Sequence, residues 1–290
     1  MRPSRRDMLA AGSGLLAGPD LARAAETGLP LIYDRYGGLF IEVRIEGRPA
    51  RMILDTGASR SALDAAFAAK LGLPLETGGQ VEGTAGTEVA RAASVRLEIG
   101  SVFRRTVDVT VYGLGSYDPA CVGILGQEFL DQAPLRIDYA AGRLVWRART
   151  PRDTRPMTLD NGIPSVEAAV NGRPMRLRLD TGASLSPGAV FYVNLTQAQA
   201  RDAGLSGKPL QVFSAGGTGA ARLELPVHAL DRFELCGRAL APARAIVQPP
   251  VGYFARPDAV GFLGNATLDK IGPYFDYAAG RFGCTVSAQA

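Results

Sequence analysis

The stretch Leu54-Asp55-Thr56-Gly57-Ala58-Ser59 occurs twice in this chain of 290 residues, because Leu179-Asp180-Thr181-Gly182-Ala183-Ser184 repeats it residue for residue. An Asp followed by Thr and Gly at the end of an apolar strand places a carboxylate on a tight turn, where backbone N–H groups can approach it. One such turn is a weak signal. Two of them predict a pair of acids in identical settings, provided that the neighbouring residues repeat as well.

The residues around the two turns do repeat, in the same order. Residues 41–49 align with residues 166–174 at the offset of 125 that separates Asp55 from Asp180, and both segments end in Gly-Arg-Pro. Farther along, the segment Asp-Tyr-Ala-Ala-Gly-Arg occurs at 138–143 and again at 276–281, so the offset has risen to 138. Extra residues in the second copy, around 185–195 and 244–258, break the symmetry and are the expected places of substrate selection. Two copies predict two lobes of one fold rather than a solenoid.

Local patterns predict the elements of each copy. The alternation of apolar and charged residues over 40–46 predicts a half-buried strand, and residues 50–54 form a second strand that leads into the first Asp turn. A helix is predicted to begin at a capping box over residues 61–64 and to end at Gly72. Residues 196–199 predict the cap of the corresponding helix in the second copy.

Two further features recur, and one segment stands between the copies. A glycine-rich tip at 83–87 returns at 214–219, and each predicts the turn of a projecting hairpin. An apolar strand ending in Gly, 122–126, returns at 260–264. Residues 147–162 are charged, contain proline and have few apolar side chains, which predicts a linker. The predicted division is an N-terminal lobe at 25–146, a linker at 147–162 and a C-terminal lobe at 163–290.

The first 24 residues have the order of an export signal. Ser4-Arg5-Arg6-Asp7-Met8-Leu9 precedes a weakly apolar run that reaches Gly18, and Ala22-Arg23-Ala24 is similar to a cleavage site. The arginine pair resembles the twin-arginine signal of bacteria, which predicts a signal peptide at 1–24 and a periplasmic or secreted mature protein. A short basic helix is the alternative. The apolar run is too short to span a bilayer, so no membrane partner is expected once the signal is removed.

Composition and charge limit the classes of function. With 47% hydrophobic and 21% charged residues, the chain can bury one large core or two of ordinary size. Loss of residues 1–24 lowers the net charge from +4 to +2, and the remaining Arg residues are scattered, so nucleic acid is not an expected partner. Three cysteines leave at least one thiol unpaired in a monomer. Cys236 and Cys284 can pair, and buried free thiols are the alternative.

The repeated Asp-Thr-Gly-Ala, the glycine-rich hairpin and the apolar-Leu-Gly strand, in that order, resemble the aspartic proteases over residues 33–285. The resemblance implies an all-β fold with minor helices, in which two pseudo-symmetric retropepsin-like β-barrel lobes form a bilobal molecule. It also implies that Asp55 and Asp180 form a catalytic dyad, supported from below by two psi-shaped loops. These loops are Ile124-Leu125-Gly126 and Phe262-Leu263-Gly264.

The resemblance also assigns roles to neighbouring residues. Thr56 and Thr181 would cross-link the two Asp loops through their hydroxyls, while Gly57 and Gly182 would let backbone N–H groups approach the carboxylates. The chain has two candidate flaps, whereas pepsin-like chains have one. In this respect it resembles a retropepsin dimer fused into one chain, and we expect it to act as a monomer. The flap residues are Gly83, Thr84, Ala85 and Gly86 in the first flap, and Gly216, Gly217 and Thr218 in the second. Gln127 and Asn265 depart from the family, since retropepsins commonly have Arg there.

The chemistry expected of the pair needs only the two acids. Two carboxylates within hydrogen-bond reach share one proton, so the charged acid takes a proton from water while the neutral acid donates a hydrogen bond to the substrate carbonyl. No metal or cofactor is expected, and with His228 as the single histidine neither a His-containing zinc site nor a Ser-His-Asp triad is well supported. We predict an aspartic endopeptidase that acts on an extended peptide or unfolded protein. The alternative is a non-catalytic peptide-binding protein with the same fold.

The residue after each Asp-Thr-Gly bears on the pH of action. Ala58 and Ala183 occupy this position, as in retropepsins, whereas pepsin-like enzymes more often have Ser or Thr that can hydrogen-bond the outer carboxylate oxygen. Loss of a hydrogen bond to the charged form raises a carboxyl pKa. We therefore predict activity that extends toward mildly acidic or near-neutral pH.

Overall fold

The computed structural model describes residues 25–114, 121–217 and 222–285. Strands account for 51% of the residues and helices for 11%, which confirms the expected all-β class with minor helices. The predicted signal peptide at 1–24 and the flap residue Thr218 lie outside the described residues. Within the described ranges, no helix is long and apolar enough to cross a membrane.

The first half of the chain forms a closed barrel of six strands. The barrel follows the order β2-β3-β8-β4-β7-β6, and it closes where Leu97 of β6 pairs with Ile45 of β2. The elements of this half are β1 (Thr27–Tyr33), β2 (Leu39–Ile45), β3 (Arg48–Leu54), β4 (Ala62–Asp64), α1 (Ala65–Leu71), β5 (Glu76–Gly83), β6 (Gly86–Ile99), β7 (Phe103–Tyr112), β8 (Cys121–Leu125), α2 (Gln127–Leu130), β9 (Leu135–Asp138) and β10 (Arg143–Trp146).

The second half repeats this topology. Its strand order β16-β17-β20-β15-β21-β14-β13 corresponds, strand by strand, to β5-β6-β7-β4-β8-β3-β2 of the first half. Its elements are β11 (Thr154–Pro156), β12 (Thr158–Asp160), β13 (Ile163–Val170), β14 (Arg173–Leu179), β15 (Phe191–Leu195), α3 (Gln197–Asp202), β16 (Gln211–Ala215), β17 (Leu223–Ala229), β18 (Phe233–Leu235), β19 (Arg238–Ala239), β20 (Ala243–Val247), a short 3-10 helix (Gly252–Ala255), β21 (Gly261–Leu263), α4 (Asn265–Ile271), β22 (Pro273–Asp276) and β23 (Arg281–Cys284). The duplication in sequence is therefore a duplication of topology.

Part of the predicted linker contains the second copy of strand β1. In the first half, β1 pairs with β10 through its first residues and with β2 through its last. In the second half the same two roles are divided, because β11 pairs with β23 and β12 pairs with β13. Residues 154–160 therefore contain regular structure. A hydrophobic pattern does not predict these short strands, because most of their side chains are exposed. The strands are held mainly by backbone hydrogen bonds.

Strands from both halves join in one sheet and share one core. Strand β9 pairs with β22, so that Leu135 stands opposite Phe275, and both side chains are fully buried. Nearby, Phe129 of α2 stacks on Trp146 of β10 with ring centroids 4.5 Å apart. This apolar continuity holds the two Asp turns in a defined relation, because each half reaches the other through buried side chains rather than through a single connecting segment.

The first helix begins later than its sequence pattern predicts. Asp64, not Ser61, is the N-cap of α1, and its carboxylate accepts hydrogen bonds from the N–H groups of Ala66 and Phe67. The predicted capping box at 61–64 is therefore wrong, because residues 62–64 form β4 and the buried Ser61 hydroxyl instead donates to Glu128. The predicted end at Gly72 is confirmed, since Gly72 has the left-handed conformation of a C-cap. The capping box of Thr196 and Gln199 on α3 is also confirmed.

A disulfide closes the C-terminal end of the described chain. Cys236, in the turn between β18 and β19, is bonded to Cys284 at the end of β23. Of the two alternatives for these thiols, the structure therefore has the pair, while Cys121 takes no part in this disulfide and is half-buried.

Candidate active site

Each Asp turn lies on top of the apolar strand that was predicted to support it. Strand β3 runs parallel to β8, and the N–H of Asp55 donates to the carbonyl of Leu125 at 3.0 Å. Strand β14 runs parallel to β21 in the same way, and the N–H of Asp180 donates to the carbonyl of Leu263 at 2.9 Å. The six residues of the psi-loop prediction lie in strands β8 and β21 or directly after them: Ile124, Leu125, Gly126, Phe262, Leu263 and Gly264.

Glycine is required after each supporting strand because the Asp turn occupies the space of a side chain. A Cβ on Gly126 would lie 2.8 Å from the carbonyl oxygen of Ala58, and a Cβ on Gly264 would lie 2.8 Å from that of Ala183. Backbone atoms cannot give way at such distances without moving the turn. The Leu-Gly ending therefore sets how closely each turn approaches its strand.

The two Asp turns are joined to each other by their threonines. The hydroxyl of Thr56 donates to the carbonyl of Leu179 at 2.7 Å and accepts from the N–H of Thr181 at 3.1 Å. The hydroxyl of Thr181 makes the mirror-image bonds, to the carbonyl of Leu54 at 2.6 Å and from the N–H of Thr56 at 3.0 Å. Both threonines are fully buried, so these four bonds are shielded from water.

This arrangement brings Asp55 and Asp180 together. The two acids interact electrostatically, and each carboxyl group lies against the glycine of the opposite turn. A Cβ on Gly57 would lie 2.7 Å from Asp180 Cγ, and a Cβ on Gly182 would lie 2.3 Å from Asp55 Oδ2. Any larger residue at either glycine would therefore displace the carboxyl group of the opposite half. Within the first turn, the N–H of Gly57 donates to Asp55 Oδ1 at 2.7 Å.

The environment favours retention of a proton by the pair. Burial, reinforced by the charge of Asp180, raises the pKa of Asp55 well above its usual range, although the N–H groups of Gly57 and Gly182 oppose the shift. Burial also raises the pKa of Asp180, against the N–H of Ala183 and the positive charge of Arg178. Two acids in contact, with one shared proton, form a combined general acid and general base.

The two predicted flap tips meet. The turn Thr84-Ala85 of the β5–β6 hairpin lies between Gly83 and Gly86, which pair with each other. Ala85 is only 5% exposed, because it packs into an apolar cluster of the second half that includes Leu223, Leu225, Val227 and Ile246. A Cβ on Gly217 would lie 2.1 Å from Thr84 Oγ1, and Gly216 precedes it just beyond β16. The first hairpin thus reaches across to the second half.

A segment of the second half also packs against the first hairpin. Gly252, in the 3-10 helix, has φ +52, and a Cβ there would lie 2.1 Å from the carbonyl oxygen of Gly83. Arg256 Nη1 lies 3.6 Å from Glu82 Oε2, next to the same turn. This segment lies in the range 244–258 where the sequence symmetry breaks.

The sequence patterns did not identify the polar contacts of Asn265, which join both halves below the Asp180 turn. Its side chain is fully buried and bonds Thr181, Gly37 and Tyr139. The only sequence signal was its departure from the Arg common in retropepsins. In the described ranges, no group of three or more His, Cys, Asp or Glu side chains could hold a metal ion.

Among the comparisons with known proteins, a family model covers the first half of this site. Residues 41–129 match the family model described as Aspartyl protease, a range that includes β3, Asp55 and β8. No curated protein matches the chain. A crystal structure of a retropepsin-like aspartic protease from Rickettsia conorii aligns with 44% of this chain and 87% of its own, at 17% sequence identity and a TM-score of 0.34. The family match supports a relationship to the aspartic proteases and, in general terms, an activity in peptide hydrolysis.

Proposed function

We propose that this protein is an aspartic-type endopeptidase, in which Asp55 and Asp180 activate a water molecule for the hydrolysis of peptide bonds. The observation that carries the proposal is the contact of two carboxyl groups whose pKa values are both raised. A structural role for these acids would be better served by separate carboxylates with full hydrogen bonding, since buried carboxyl groups with raised pKa values weaken the fold at neutral pH. The match of residues 41–129 to the aspartyl protease family supports the same assignment.

The proposed reaction follows from the shared proton. The charged acid accepts a proton from the water as its oxygen attacks the carbonyl carbon, and the neutral acid transfers its proton to the carbonyl oxygen. A tetrahedral diol forms, and the dyad again holds one proton. The C–N bond then breaks as the leaving nitrogen gains a proton from the dyad and a diol hydroxyl returns one. Neither a covalent intermediate nor a cofactor takes part, and either acid can serve as the base.

The proposed substrate is an extended peptide or unfolded protein that lies between the two halves under the hairpin tips. Strand-like main-chain hydrogen bonds would hold such a segment, and the β5–β6 hairpin is the proposed source of the backbone groups. Both acids belong to one chain, so we propose that a single copy of the protein is active. Nucleic acid is not part of the proposal, since the charge left after residue 24 is only +2.

We also propose that the protein is exported, by the twin-arginine route, to the periplasm or beyond. The arginine pair at Arg5 and Arg6 supports this, together with the disulfide between Cys236 and Cys284, because disulfides persist mainly in oxidising compartments.

A non-catalytic peptide-binding protein is the competing proposal. It would retain the hairpins and the space between the halves but would have no need of two adjacent acids. Both acids are present, each with a glycine opposite that leaves room for it, which favours the enzyme.

The deciding experiment is digestion of an unfolded protein from about pH 3 to 8, the range that spans normal and raised carboxyl pKa values. Wild type is expected to cleave, whereas Asp55→Asn and Asp180→Asn each lose activity by about 1,000-fold or more, because neither variant can share a proton. The matched control is Asp231→Asn, which replaces an exposed acid distant in sequence from both dyad residues and is expected to retain full activity.

Absence of cleavage by the wild type, or cleavage by both dyad variants that is as efficient as that of the wild type, would refute the enzyme. The pH range of activity is expected to extend higher than it would for carboxyl groups of ordinary pKa, because the pKa values of Asp55 and Asp180 are both raised. A rate confined below about pH 3 would contradict that expectation. Inhibition by a statine-type transition-state analogue provides an independent check of the dyad.

A further inference from the structure

Asn265 is the first residue of α4, directly after Gly264, and its side-chain amide makes three hydrogen bonds. Its Nδ2 donates to the carbonyl oxygen of Thr181 at 2.5 Å and to that of Gly37 at 2.9 Å. Its Oδ1 accepts from the hydroxyl of Tyr139 at 2.5 Å. Because backbone carbonyls can only accept, Nδ2 must face them, so the orientation of the amide is determined.

The contact with Thr181 acts on the peptide unit that carries a donor of the dyad. The carbonyl of Thr181 and the N–H of Gly182 belong to the same planar peptide. That N–H interacts with the carboxyl groups of both Asp55 and Asp180. A donor that holds the carbonyl end therefore fixes the direction of the N–H end, and it also polarises the peptide, which strengthens the N–H as a donor.

The equivalent position in the first half lacks this arrangement. Gln127 corresponds to Asn265 and follows Gly126, while Tyr277 corresponds to Tyr139. Gln127 lies beside Tyr277, yet Gln127 Nε2 and the hydroxyl of Tyr277 are both buried without a hydrogen-bond partner of acceptable geometry in the described part of the chain. Gln127 thus makes no bond to the carbonyl of Thr56, and the pseudo-symmetry of the two turns ends at this point.

We propose that Asn265 is a positioning residue of the dyad: oriented by Tyr139 and anchored on Gly37, it holds the 181–182 peptide so that the Gly182 N–H is directed at the two carboxyl groups. The inference rests on the proposed function, and it assigns a role in that function to a contact that only one of the two halves makes. Asn265 does not touch substrate or the reacting atoms. It acts only through the Gly182 donor.

The sign of the expected pH effect follows from that donor. A hydrogen bond to the charged form of a carboxyl lowers its pKa, so a misdirected Gly182 N–H raises the pKa values of the pair. The acidic limb of the pH–rate profile then moves to higher pH. The other ionisable groups that face this network are Tyr139, Tyr33 and Asp269, together with Arg178 beside Asp180 and Tyr277 beside Asp55. Burial raises the pKa of Tyr139 well above its usual range, so its hydroxyl remains a donor throughout the profile.

The chain offers two matched pairs of variants for the test. Asn265→Ala removes the amide, and Tyr139→Phe removes only the hydroxyl that orients it. Gln127→Ala and Tyr277→Phe are the same changes at the corresponding positions of the first half, where the polar atoms concerned have no partner. The readouts are kcat and KM as functions of pH, thermal stability, and the titration of the dyad carboxyl carbons by NMR with carbon-13 labelled Asp.

Asn265→Ala is expected to lower kcat about 10-fold while KM changes less than about 2-fold, and to shift the acidic limb upward by about half a pH unit or more. Tyr139→Phe is expected to shift the limb in the same direction by a smaller amount. Gln127→Ala and Tyr277→Phe are expected to leave the pH–rate profile unchanged.

Equal effects of the Asn265 and Gln127 variants, or an Asn265→Ala protein that loses stability without any shift of the profile, would overturn the proposal. The NMR titration separates this inference from the proposed function, since it reports the carboxyl pKa values even in a protein that cleaves nothing. An upward shift in Asn265→Ala, without cleavage by the wild type, would uphold the positioning role and refute the enzyme.

Discussion

Asp55 is a carboxyl group that the fold keeps protonated to an unusually high pH, because burial and the charge of Asp180 both raise its pKa. The unfolded chain releases this proton near the ordinary value of 3.8, whereas the folded protein retains it. In the window above that value the folded state binds more protons than the unfolded state. The free energy of unfolding therefore falls as the pH rises from 3.8 through the raised pKa, and the dyad reduces stability at neutral pH.

Asp55→Asn is expected to stabilise the protein at neutral pH while it abolishes cleavage. The amide has the same shape but carries no charge, so the gain over wild type grows with pH by about 1.4 kcal/mol for each unit of the raised pKa that is crossed. Urea unfolding of both proteins at about pH 4 and pH 7 measures this difference. Asp231→Asn should show no such trend, and a gain from Asp55→Asn that is equal at the two pH values would contradict the expectation.

At the scale of elements, the tip of the β5–β6 hairpin is held against the second half by the packing of a very small side chain. Ala85 at its turn is buried among apolar residues of the second half, and Gly252 leaves no space between the 3-10 helix and the carbonyl of Gly83. The ion pair of Arg256 with Glu82 joins the same surfaces, but both side chains are exposed enough that it adds little. The tip is therefore held against the second half mainly by close packing.

Ala85→Glu is expected to release the hairpin tip from the second half. A carboxylate in the Leu223 and Leu225 cluster would lose its hydration without gaining a partner, so the seated position becomes unfavourable. Amide hydrogen exchange over residues 80–90 should rise about 10-fold or more, because the tip then opens freely. Val89→Glu is the matched control, since Val89 belongs to the same hairpin but is 78% exposed. Equal exchange in the two variants would show that the tip is not seated by Ala85.

The whole molecule depends on the sheet that both halves build together. Strand β22 pairs on one side with β9 of the first half and on the other with β23, whose last residue is Cys284. The disulfide to Cys236 ties this sheet to the β18–β19 turn across 48 residues of sequence. A cross-link over a loop of that length restricts the unfolded chain, and it also anchors the end of β23 in the fold.

Replacement of Cys236 and Cys284 together by Ala is expected to lower the free energy of unfolding by about 2–4 kcal/mol. The comparison of urea unfolding curves under non-reducing conditions measures the loss, and a reductant should bring the wild type close to the double variant. Cys121→Ser, which alters a thiol outside this disulfide, is expected to leave the effect of the reductant unchanged. A wild type that is insensitive to the reductant while the variant is destabilised would instead indicate a packing effect of the two side chains.

The sequence alone predicted which parts of the fold correspond. Letter-for-letter repeats at Asp55 and Asp180, and at Asp138 and Asp276, identified equivalent strands, turns and supporting loops, since repeated local patterns produce repeated local structure. The helix end at Gly72 and the cap at Thr196 could be predicted for the same reason, because both depend on neighbouring residues only. The start of the first helix could not, because Ser61 is drawn away by Glu128, which lies 67 residues later.

What the sequence by itself determined is the pair of acids and the twofold plan of the chain, which follow from patterns within short segments, together with the all-β class, which the resemblance carried by those patterns implies. Only the tertiary structure decided that residues 154–160 are strands, that Ala85 is seated in the opposite half, and that Asn265 joins Gly37, Tyr139 and the Asp180 turn. The physical reason is that these features depend on contacts between residues far apart in the chain. Each partner acquires its role only when the other half places an acceptor, a donor or an apolar surface beside it.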